Sequence, residues 1–101
     1  MGKRSTPPLT PAEVVAILKS WDFIKKGQEG SHAQWERTAD GKRPRSVVTV
    51  DMHYKDFDAD LMRNMIRQSN LTRDEFYGAT KRTARKASVP FLRLSPSSET
   101  E

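Results

Sequence analysis

One imidazole dominates the chemistry this chain can offer. His32 closes the triplet Gly30-Ser31-His32, where a loop with two glycines gives way to a stretch that runs to Trp35. The sequence has no cysteine and a single further histidine, His53, which excludes disulfides, thiolate catalysis and cysteine-ligated zinc. An imidazole can take and return a proton near neutral pH. RNA carries its own nucleophile, the 2′-hydroxyl. A side chain that accepts its proton, with cations to stabilise the phosphorane, is enough to cut the chain, and neither metal nor cofactor is called for. On an RNA substrate His32 would serve as the catalytic base or acid, with Lys25, Lys26 and Arg45 binding the scissile phosphate; the alternative is a surface strand histidine with no role. Ser31 orients the imidazole or donates a hydrogen bond. The second acid, for the leaving 5′-oxygen, is the same histidine, a water or a lysine. His53 follows a strand, where it caps, packs, pairs with Asp51 or Asp56, or contacts substrate.

The elements that must position these groups have local signatures. Thr10-Pro11-Ala12-Glu13 supplies the N-cap, N1 proline and N3 glutamate of a capping box. Val14, Ile17, Leu18 and Trp21 then form one helical stripe, widened by Val15, and Trp21 reads as core. Phe23-Ile24 is a short extended segment and Lys25 to Gly30 a loop. From Ser31 to Arg37 the alternation turns Ala33 and Trp35 inward and His32, Gln34 and Glu36 outward. A turn at Thr38 to Lys42 leads through Arg43-Pro44-Arg45 into the β-branched strand Ser46 to Val50, a hairpin whose basic tip either grips phosphate or is simply solvated. Asp56, Asp58 and Asp60 complement the start of a helix rather than hold magnesium. That helix buries Leu61, Met62, Met65 and Ile66 and stops at Asn70. Thr72-Arg73-Asp74-Glu75 is a second capping box, opening a third helix through Phe76 and Tyr77 towards Arg85. Val89 to Leu94 is a short apolar patch. The order predicts an α+β domain, one three-stranded antiparallel sheet with helices on one face and a C-terminal helix added.

The chain has 101 residues and a formal charge of +5, enough for one modest core. The charge is uneven: residues 1–78 hold 13 Lys and Arg against 11 Asp and Glu, residues 79–101 hold 5 against 2. The partition expected is a disordered leader over 1–9, the functional domain over 10–78, and a basic extension over 79–101 that is partly helical and then disordered. A cationic tail and a pI near 9.8 point to a polyanionic partner, nucleic acid before acidic protein. Without an apolar leader or spanning stretch, a cytoplasmic protein with no membrane contact is expected.

From Glu13 to Phe76 the sequence resembles the HicA toxin family of toxin–antitoxin systems, also described as YcfA-like messenger-RNA interferases. The resemblance rests on the first helix ending in Trp21-Asp22-Phe23, on Gly30-Ser31-His32 with Trp35, and on Val48-Thr49-Val50 leading to His53. It continues through Leu61 to Gln68, Asn70-Leu71-Thr72 and Glu75-Phe76. It implies a double-stranded-RNA-binding-domain-like fold, endoribonuclease action on mRNA, catalysis by His32, and a HicB-like antitoxin that masks the active face. Two departures stand out. Asp51 occupies a place where proline is common, and Asn70 one where glycine is common; neither is expected to touch the histidine. Two other functions suit the same residues: a non-catalytic RNA-binding module of this fold, and a protein-interaction domain with an acidic partner.

Overall fold

The computed structural model describes residues 5–94, and the parts of the expected leader and tail at 1–4 and 95–101 lie outside them. Helix α1 (Pro11–Ser20) begins with the predicted capping box, both of its hydrogen bonds present, and buries Val14, Ile17 and Leu18. Strands β1 (Ile24–Glu29), β2 (His32–Arg37) and β3 (Ser46–Asp51) form an antiparallel sheet in the order β1-β2-β3. Helix α2 (Ala59–Ser69) starts at the N-cap Asp58 and ends at Asn70, which takes the left-handed conformation at φ 61°. Ala33, Trp35, Val48 and Val50 pack with Leu18, Phe57, Met62 and Phe76 in one core, so the helices cover one face of the sheet and leave the other to solvent. This is the predicted α+β architecture.

Two elements differ from the sequence reading. Lys25 to Glu29, expected in a loop, continue β1 with a bulge between Lys25 and Gly27. Every residue of this edge strand is exposed, so it carries no alternation to read, and only its pairing with β2 defines it. The expected long third helix is two short ones, α3 (Arg73–Tyr77) and α4 (Lys81–Ala87). Gly78 separates them. A Cβ there would lie 2.6 Å from the Pro90 carbonyl oxygen and 2.7 Å from that of Asp74. Thr80, in an extended conformation, then caps α4 by accepting from the Thr83 N–H.

The returning C-terminal segment is docked, with the Leu92 N–H donating to the Gly78 carbonyl at 2.9 Å and Val89 and Leu94 against the core. Within the stretch read as a leader, Leu9 is fully buried and bridges to Phe57, and the Tyr77 hydroxyl donates to the Pro7 carbonyl at 2.7 Å. The Arg73 guanidinium donates both to the Ser5 carbonyl, at 2.7 Å, and to the Ala87 carbonyl, at 3.3 Å. Glu13 on α1 receives Arg82 at 2.7 Å and Lys86 at 3.0 Å from α4. Among the described residues no helix is long and apolar enough to cross a membrane.

Candidate active site

The triplet is a turn and the first residue of a strand. Glu29 and His32 are paired across β1 and β2, so Gly30 and Ser31 are a two-residue hairpin loop. Gly30 has φ +58°, the conformation that such loops demand of their first residue and that glycine adopts without strain. His32 is therefore fixed by the backbone at the sheet end. Strand alternation puts Ala33 and Trp35 in the core and His32, Gln34 and Glu36 on the open face, as predicted.

Register brings a carboxylate to the imidazole. His32 stands opposite Asp51 at the end of β3, and Nε2 lies 3.3 Å from Asp51 Oδ2. The histidine side chain is 58% exposed and the aspartate 23%. The other carboxylate oxygen, Oδ1, accepts from the Ser31 hydroxyl at 2.7 Å and from the His53 N–H at 3.0 Å. These two hydrogen bonds, with His32 and His53 nearby, hold the Asp51 pKa below the ordinary carboxylate value. Asp51 is thus a charged anchor, tied to the turn before β2 and to the loop after β3, with one oxygen left for His32. The pairing also corrects an expectation: the departure at Asp51 does touch the histidine.

The other sequence candidates separate. Ser31 reaches Asp51 rather than the imidazole. His53 joins the cluster through its backbone. Lys25 is paired with Trp35, whose side chain is inward, so Lys25 leaves the sheet on the helix side, away from His32. Lys26 is at the bulge, near enough to Glu36 to help lower that carboxyl. Arg45 pairs with Glu36, and this hydrogen bond is the main cause of the lowered Glu36 pKa. Glu36 shares the His32 face four residues along β2, about 13 Å away. The basic hairpin tip is partly occupied. Arg43 stacks over Trp21 at 5.1 Å and pairs with Glu75, while Asp40 accepts the backbone N–H groups of Lys42 and Arg43.

Asp51 is the residue that sequence reasoning missed. The signal was present as register: once Trp35 and Val48 are matched as inward partners, counting outward along both strands sets His32 against Asp51. The eight residues 38–45 between the strands have no fixed turn type, so their length does not impose that register. Among the described residues no group of three or more His, Asp or Glu is placed to hold a metal ion.

A family model described as the HicA toxin of bacterial toxin–antitoxin systems matches residues 11–71, more than half of the chain. The chain belongs to the HicA toxin family. No curated protein and no solved structure matches it. In this HicA chain the matched region contains α1, the whole sheet and α2, and with them His32, Asp51 and His53. Helices α3 and α4 follow it.

Proposed function

We propose that this HicA chain is a metal-independent endoribonuclease that cleaves messenger RNA with His32, in the cytoplasm, and that a HicB-like antitoxin neutralises it by covering the open face of the sheet. The observation that carries the reading is the pair formed by exposed His32 and ionised Asp51, held by Ser31 on a face that no helix covers. With Nε2 directed at Asp51, the other ring nitrogen, Nδ1, is free to act on substrate.

In this mechanism His32 takes the proton of a 2′-hydroxyl as that oxygen attacks the adjacent phosphorus. The P–O5′ bond breaks, and the 5′-oxygen leaves with a proton returned by the imidazolium or by water. The products are a 2′,3′-cyclic phosphate and a 5′-hydroxyl. Asp51 stabilises the transient imidazolium and fixes the ring, as a carboxylate behind a catalytic histidine does in hydrolases. Lys26, Arg45 and His53 bind flanking phosphates, and Lys25 meets RNA only where the strand wraps the edge of β1.

The test is incubation of the purified chain and its His32→Ala variant with single-stranded RNA in EDTA, with the product ends mapped. The expected outcome is cleavage by the first, giving cyclic-phosphate ends, and a loss of about 10²- to 10⁴-fold in the second. Equal cleavage by both sinks the assignment. RNA bound but left uncut by both identifies a binding module instead.

A further inference from the structure

Beside the His32–Asp51 pair, a cleft of about 120 Å³ runs between the outer edge of β3 and α2. Thr49 and Asp51 line it from β3, Tyr54 and Phe57 from the loop that follows, and Asn64 and Gln68 from α2 together with apolar side chains of that helix. We propose that this cleft holds one unpaired base of the RNA, placed next to the phosphate that His32 cuts; the inference rests on that reading of His32.

Charge selects the occupant. The lining has no lysine or arginine and one carboxylate, so it repels phosphate and acidic peptide and suits a neutral ligand. Shape and hydrogen bonding narrow it further. Tyr54 is 43% exposed and lies 5.5 Å from Phe57, ring centre to ring centre, giving a partly open aromatic surface on which a base stacks. Asn64 and Gln68 are one helical turn apart and so share a face of α2. The Gln68 carbonyl accepts from the Thr49 N–H at 3.3 Å, which fixes that side chain and leaves its amino group to donate. A flat, neutral ligand with several donors and acceptors is a nucleobase, and a carboxamide matches the amino and N7 edge of adenine best. Position supplies the last argument. The carboxylate that touches His32 also lines the cleft, so a base seated there belongs to a nucleotide adjoining the scissile bond.

Two measurements test this. In His32→Ala protein, titration with short single-stranded RNAs differing at one base should shift the side-chain amide resonances of Asn64 and Gln68, most strongly for adenine. In protein that retains His32, Asn64→Ala and the near-isosteric Asn64→Asp should change the preference among cleavage sites in one mixed RNA by about tenfold, and a uniform fall at every site overturns the proposal. Unmoved resonances together with an unchanged site preference overturn the proposal. Shifts that appear on raising protein concentration without RNA assign the cleft to a second copy of the chain and overturn it as well. Failure of the His32 reading is separate, since it shows as undiminished cutting by His32→Ala.

Discussion

Asp51 is held from three sides, and the consequence of removing only its charge is calculable in direction. In Asp51→Asn the amide oxygen still accepts from Ser31 and the His53 N–H, so the turn and loop stay in place. The ring loses the carboxylate that stabilises its protonated form. Cleavage should fall about 10- to 100-fold, a part of the whole acid–base contribution. The loss should lie in kcat with KM near its original value, and the melting temperature should barely move. Single-turnover kinetics beside a thermal melt separates this from a merely structural role, in which both stability and KM would change. His32 was legible as a candidate because its residue type and the flanking glycine are local facts. Asp51 was not, because its meaning arises from a partner on another strand.

At the scale of elements the same division holds. Both threonine capping boxes and the left-handed stop at Asn70 were readable, since each depends on residues within one helical turn. Strand β1 was not, because an all-exposed edge owes its conformation to β2. The break between α3 and α4 was not either. Gly78 has an ordinary φ of −75°, and glycine is needed there because Pro90 comes close from twelve residues onward. Gly78→Ala should therefore push the returning segment off the α3–α4 corner, at a cost of about 1–3 kcal/mol, typical of overpacking. Urea denaturation would measure the cost. Faster hydrogen exchange at the Leu92 amide, which donates to Gly78, would locate it.

Across the whole molecule, one buried carboxylate joins the first helix to the last. Burial is the largest single influence on Glu13 and raises its pKa. The hydrogen bonds from Lys86, the Thr10 N–H and Arg82 together outweigh it and bring the value down from 4.5 to about 2. A depressed carboxylate pKa stabilises the fold above the unfolded value and ceases to do so as pH falls from about 4.5 through about 2. The whole contribution is of order 3 kcal/mol. Acid titration of the melting temperature should show this loss in the unaltered chain. Glu13→Gln should be less stable at pH 7 and flatter below pH 4.5; an identical acid profile in the two proteins would refute the assignment.

Arg73 does something comparable for the backbone. A single guanidinium grips the carbonyls of Ser5 and Ala87, so the two limbs of the chain meet at one point on the surface of α3. Taking the guanidinium away in Arg73→Ala should therefore release the stretch before α1 and the end of α4 together, so that hydrogen exchange quickens at both while the strand register and the His32–Asp51 pair stay unchanged.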